Sequence, residues 1–183
     1  MVTINREQYL EAGLSTLTQP IRLADVVNLI APAAGDYAAG DNVSNSTTDT
    51  LGVPLRVNNM ARAPGGTAIL QGVRAVCVAT SGLVVAPIRL YWFQYAPTPA
   101  EVEMDDNVAF AIAGAAGGAK YVGDTLLNGF VDRGGISVSN TMGMQEALRC
   151  APFDTGLFCV PTFETAETNE STNMSFRFDF YCF

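Results

Sequence analysis

The sequence contains no histidine. That absence removes Ser–His–Asp and Cys–His nucleophile pairs and most zinc and haem sites. It also removes the side chain whose ordinary pKa suits proton transfer near neutrality. Charge is scarce too: 15% of residues are charged, against about 25% in an average soluble domain. Two arrangements allow so little charge. Broad surfaces are covered by other chains, or one tightly packed domain has an exterior of Thr, Ser, Asn and Gly. The 10 basic residues form no cluster and are outnumbered by 18 acidic ones, for a net charge of −8. Nucleic-acid phosphates and anionic membrane surfaces therefore find no electrostatic footprint. No apolar run approaches the ~18 residues of a membrane-spanning helix. The start, Met1 to Glu7, lacks a basic head followed by an apolar stretch, so no signal peptide is expected. No C-x-x-C pair occurs among Cys77, Cys150, Cys159 and Cys182. They are expected to be reduced and to act as small core hydrophobes.

What is present points to strands. Hydrophobic residues make up 49% of 183, enough for one domain with a sizeable core. Met174, Phe176, Phe178, Phe180 and Cys182 alternate with Ser175, Arg177, Asp179, Tyr181 and Phe183. This period of two predicts a strand with one face in a core. Thr67 to Thr80 is the longest strand candidate, with Ile69, Gln71, Val73, Ala75 and Cys77 on one side. Ser81-Gly82 reads as a turn, and Val84 to Tyr95 as the partner strand of a long hairpin. Ile88, Leu90 and Trp92 share a face there, and Tyr91, Phe93 and Tyr95 the other, which predicts a central strand covered on both sides. Lys120 to Val131 and Ile136 to Met144 are further strand candidates around the turn Gly134-Gly135. Leu157 to Phe163 reads as a buried strand, with Pro161 marking an edge or bulge. Val43 to Thr50 and Thr165 to Thr172 read as solvated loops. The fold class expected is all-β: a jelly-roll-like antiparallel β-sandwich of about eight strands, spanning residues 36–183. Residues 1–35 are expected to be an N-terminal arm or peripheral segment. It holds one short helix near Arg6 to Ala12 and a run, Ile21 to Ile30, whose spacing suits helix and strand alike.

Candidate chemistry is thin. Gly114 to Lys120 superficially matches a phosphate loop, but no Ser or Thr follows Lys120, and a flexible glycine loop is the plainer reading. Glu101, Glu103, Asp105 and Asp106 could supply oxygen ligands to Ca²⁺, yet their spacing fits no EF-hand loop. As a glycosidase pair they lack an opposed acid across a cleft. Four sequons, at Asn42, Asn45, Asn169 and Asn173, arise by chance in a Ser/Thr/Asn-rich chain. Tyr91-Trp92-Phe93-Gln94-Tyr95 could form a sugar platform, though core packing suits a central strand better. No catalytic, cofactor-binding or metal-binding residue is assigned, and no enzyme activity is expected.

Four segments, in order, carry a resemblance: Tyr37-Ala38-Ala39-Gly40-Asp41, Asn59 with Ala61-Arg62-Ala63-Pro64-Gly65-Gly66, Ile88-Arg89-Leu90-Tyr91-Trp92-Phe93, and Asp106-Asn107-Val108-Ala109-Phe110. With them, residues 36–183 resemble small virion structural proteins of tailed bacteriophages, often encoded near the major capsid protein. The resemblance implies a capsid decoration, or cement, protein on the exterior of an HK97-type shell, made in the host cytoplasm. It would bind the major capsid protein at local symmetry axes and associate with itself as a dimer or trimer, with neither nucleic acid nor membrane as partner. The alternative is a carbohydrate- or receptor-binding virion module, and a β-sandwich enzyme is a third reading.

Overall fold

The structure is a computed structural model describing residues 21–32, 35–47, 52–78, 86–167 and 174–183. Among the described residues, nine strands and one short helix follow in order. They are β1 (Arg22–Ala31), β2 (Leu55–Val57), β3 (Thr67–Val78), β4 (Ile88–Phe93), α1 (Gly114–Lys120), β5 (Tyr121–Leu127), β6 (Val131–Asp132), β7 (Ile136–Arg149), β8 (Leu157–Phe163) and β9 (Met174–Cys182).

The strands form two antiparallel sheets, ordered β1-β9-β3-β7-β6 and β2-β8-β4-β5. The pairing is nested. First pairs with last (β1 with β9), then β2 with β8, β3 with β7 and β4 with β5, and the two-residue β6 lies along β7. A chain folded back on itself and rolled in this way is a jelly roll, so the all-β expectation holds in its topology.

Between the sheets lies one core. β9 supplies Met174, Phe176, Phe178, Phe180 and Cys182, all buried as the alternation requires. Phe178 stacks on Phe176 at 5.9 Å and on Phe180 at 6.2 Å. From the facing sheet Ile88, Leu90 and Trp92 of β4 are fully buried, and Trp92 meets Phe180 edge-on at 5.6 Å. Its indole N–H donates to Thr125 Oγ1 at 2.8 Å, which satisfies the one polar atom that burial would otherwise strand. All four cysteines are buried free thiols, and burial pushes Cys77 up to about 12 and Cys182 to about 11.

Several sequence expectations need correcting. The long hairpin does not form: β3 pairs with β7 and β9, and β4 with β5 and β8, in opposite sheets. In this jelly roll the chain crosses from one layer to the other between β3 and β4. Strands that are apolar on both faces fit either arrangement, so local pattern does not choose. β3 also changes face midway. A bulge at Gln71 shifts the register between Leu70 and Gly72, so Leu70, not Ile69, joins Val73, Ala75 and Cys77 in the core. The glycine-rich stretch at 114 is the helix α1, not a loose loop. Val43 and Ser44, expected in a solvated loop, are buried, with Val43 N–H bonded to the Pro161 carbonyl at 2.9 Å. Glu167, likewise expected in a loop, is buried and its backbone pairs with Tyr37. Pro161 sits beyond the end of β2, which reaches only Cys159.

Residues 22–31, within the segment expected as an arm, are β1, an outer strand of the five-stranded sheet, paired with β9 from Arg22 to Ala31 with a register shift between Leu23 and Asp25. The ambiguous spacing of that run thus resolves as strand. The short helix near Arg6 to Ala12 falls outside the described residues.

Candidate functional site

The two outer faces of the sandwich are finished differently. On the four-stranded sheet, the chain from about residue 95 to 120 folds back over the strands as a strap. Phe93 and Val160 point outward from β4 and β8, yet both are buried beneath Val102 and Met104. Tyr91 stacks flat on Phe110 at 4.0 Å and 11°. Backbone bonds hold the strap on itself, from Ala113 N–H to the Glu101 carbonyl (2.7 Å) and from Glu103 N–H to the Ala111 carbonyl (2.8 Å). Lys120 closes it, with Nζ at 2.6 Å from Glu101 Oε2 and 3.0 Å from the Ala96 carbonyl. Lys120 and the Thr98 donors hold the Glu101 carboxyl well down, at about 2. Gly117 is required where α1 meets the strap, because a Cβ there would run into the Glu101 carbonyl oxygen. Beside the strap, Arg89 on β4 bridges Asp124 and Glu164.

The acidic residues singled out in the sequence are thus dispersed. Glu101 serves Lys120, and Glu103 Oε1 accepts from Asp105 N–H at 2.9 Å. Asp106 is buried, accepting from Tyr37 OH at 3.0 Å and from Ser44 N–H at 2.9 Å. Burial and that carboxylate raise the Tyr37 phenol far above its ordinary value. Among the described residues, no group of three or more Cys, Asp or Glu is placed to hold a metal. Lys120, the last residue of the phosphate-loop look-alike, is engaged in the strap. Of the sequons, Asn42 is fully buried with its amide bonded to the Glu103 carbonyl, and Asn169 and Asn173 lie outside the described residues.

The same geometry shows what the four quoted segments do. The first and fourth are neighbours. Tyr37 bonds Asp106, Phe110 N–H donates to the Gly40 carbonyl (2.8 Å), Asn42 N–H to the Val108 carbonyl (2.8 Å), and Asp41 bridges to Ala109. The second clasps the turn after β7, through Ala61 N–H to the Thr155 carbonyl (2.8 Å) and Gly65 N–H to the Asp154 carbonyl (2.9 Å). The third is β4 itself. These segments build the fold and do not converge on a reactive centre.

On the five-stranded sheet no described residue covers the outer face. The register aligns Ile30, Ser175, Val78 and Ile136 in one row, then Asn28, Arg177, Val76, Val138 and Val131 in the next. Ile30, Val78, Val131 and Met142 keep 57%, 48%, 47% and 51% of their surface exposed. The third row places Asp179 beside Arg74. Asp179 is almost wholly buried, 2.7 Å from Arg177 and 3.7 Å from Arg74. Two guanidiniums on one carboxylate leave a local excess of one positive charge, on a chain whose net charge is −8. The face has two hollows. A broad one of about 650 Å³ is lined by Arg74, Arg133, Ile136, Val138, Met142 and Tyr181. A smaller apolar one of about 340 Å³ lies at the corner of Ile30, Val76 and Val78, with Arg177 at its rim.

A second exposed feature escaped the sequence reading. Phe153, at the turn between β7 and β8, is 98% exposed and has a left-handed backbone with φ of 73°. That conformation costs a bulky residue roughly 1–2 kcal/mol. The turn is nevertheless fixed. Asp154 N–H bonds the Ala151 carbonyl at 3.0 Å, and the Asp154 carboxylate accepts from Arg56 at 2.5 Å and from Gly156 N–H at 2.9 Å. The available signal was an aromatic inside a Pro-Phe-Asp turn, where polar residues are usual.

No protein-family model and no curated protein matches the sequence. Among solved structures, the chain is similar to one from the full particle of Israeli acute paralysis virus heated to 63 degrees. Identity is 13%, coverage is 91% of this chain and 72% of that one, and the TM-score is 0.31. A superposition this loose carries neither fold nor function.

Proposed function

We propose that this chain is a structural virion protein of the capsid-decoration kind. In this reading it adheres to the outside of an icosahedral shell through the bare face of its five-stranded sheet and clamps neighbouring capsomers. The observation that carries it is the unequal finish of the two faces: the described residues cover one apolar sheet face with a strap and leave the other open. The jelly-roll topology supports it by analogy, since capsid and lectin domains both use that architecture. So does the resemblance of four ordered segments to tailed-phage virion proteins. The role asks for no reacting group, and the reading assigns none. The partners are the major capsid protein and further copies of this chain, and the place is the virion exterior. A glycan-binding module loses its platform, because Trp92 is fully buried and Tyr91 lies stacked against Phe110.

Such a protein stabilises by mass action, binding the assembled shell in preference to free subunits, and many modest contacts then act together. Particles stripped of it are expected to lose heat resistance and to regain it when wild-type protein is added back. Protein carrying Val138→Asp and Met142→Asp in the broad hollow should not restore it. Equal heat resistance of bare and decorated particles would remove the clamping role. Purified particles that lack the protein altogether would end the reading.

A further inference from the structure

Phe153 and the apolar corner of the five-stranded sheet are complementary, and one molecule cannot bring them together. The turn that carries Phe153 clasps Gly65, just before β3 begins. The corner is built by Val76 and Val78 at the other end of β3, with Ile30 of β1 beside them. Twelve extended residues separate the two ends of β3 by about 36 Å. The turn is tied to the β3 start through Gly65 and through Cys150 N–H to the Gly66 carbonyl at 3.0 Å, so it cannot swing across that distance.

We propose that Phe153 of one copy seats in the corner between Ile30, Val76 and Val78 of the next, joining copies head to tail. Two observations point to a second copy as the occupant. The corner's volume is about 340 Å³, and cavities of about 150 Å³ already admit a benzene ring. The knob is held rigidly in a conformation that Phe does not favour and makes no use of within its own fold. Strained, exposed residues of this sort belong to binding sites, and rigid aromatics entering apolar pockets dominate interface energetics. Knob and pocket lie on different surfaces, so the contact is heterologous. It closes into a ring if the rotation between copies permits, and otherwise extends as a string.

The test is sedimentation of the full chain together with two variants. Wild type is expected to sediment as a multimer. Phe153→Gly and Val78→Asp should each be monomeric, and Phe153→Gly should melt no lower than dilute wild type, because glycine relieves the left-handed backbone. An equimolar mixture of the two variants retains one intact knob and one intact pocket, and should form one-to-one dimers and nothing larger. A wild type that stays monomeric at its highest soluble concentration overturns the proposal. So does a Phe153→Gly variant with wild-type assembly, or a mixture that fails to dimerise. The contact does not depend on the shell reading. Self-association without attachment to particles would sink only that reading, and attachment by a chain that remains monomeric would sink only this contact.

Discussion

The strapped face and the bare face begin from similar strands and end in opposite states. β4 and β8 present Phe93, Val160 and Tyr91 outward, and the chain covers them with Val102, Met104 and Phe110. β3 and β7 present Val76, Val78, Val138 and Met142 outward, and the described chain leaves them open. Large aromatics on an outer face bury 150–250 Å² each and make an internal cover worth its ordering entropy. A row of valines with a fixed ion triad tolerates water until a partner arrives. The covered face therefore belongs to folding, and in the proposed function the open one serves association.

Changes on the two faces should separate in the same way. The largest effect is expected from Phe93→Ala, which hollows the sealed layer and should cost about 3–5 kcal/mol. In a chain of this length that lowers Tm by roughly 10 °C in calorimetry. A loss below a few degrees would mean that the strap is mere decoration. An intermediate effect is expected from Glu101→Gln, which removes the carboxylate that Lys120 and Thr98 grip. Hydrogen exchange over residues 101–113 should quicken at neutral pH. In the wild type the same loosening should come only in acid. The folded carboxyl sits near 2, below its ordinary value, so its contribution is complete above the ordinary value and is lost as pH falls through about 2. Equal exchange in variant and wild type at neutral pH would show that the strap does not need this anchor. The smallest effect on folding is expected from Met142→Ser combined with Val131→Ser on the bare face. It should stay within about 0.5 kcal/mol, since both side chains are about half exposed. A large drop in Tm there would mean that the face is part of the folding core and not an association surface.

Much of the architecture was legible because it is written in local period. The alternation of β9 is exact along its length: every second residue from Met174 to Cys182 is in the core. β4 reads as covered on both sides, and it is. The sites that dissolved were read from proximity in sequence. Glu101, Glu103 and Asp106 are neighbours in the chain but serve three different partners. Tyr37 and Asp106, far apart in sequence, are bonded to each other. Phe153 is marked in the sequence only as an aromatic in a Pro-Phe-Asp turn, and that pattern does not tell whether the turn faces in or out.

By itself the sequence determined composition-level and period-level properties. These are a histidine-free, sparsely charged, strand-rich chain with buried cysteines and a C-terminal core strand. They follow from side-chain chemistry and from the two-residue repeat of extended backbone. Tertiary structure alone decided which strands pair, which outer face is covered and which aromatic protrudes. Those outcomes depend on long-range closure of the roll. Strands that are apolar on both faces have several partners of comparable local merit, and only the packing of both layers at once distinguishes among them.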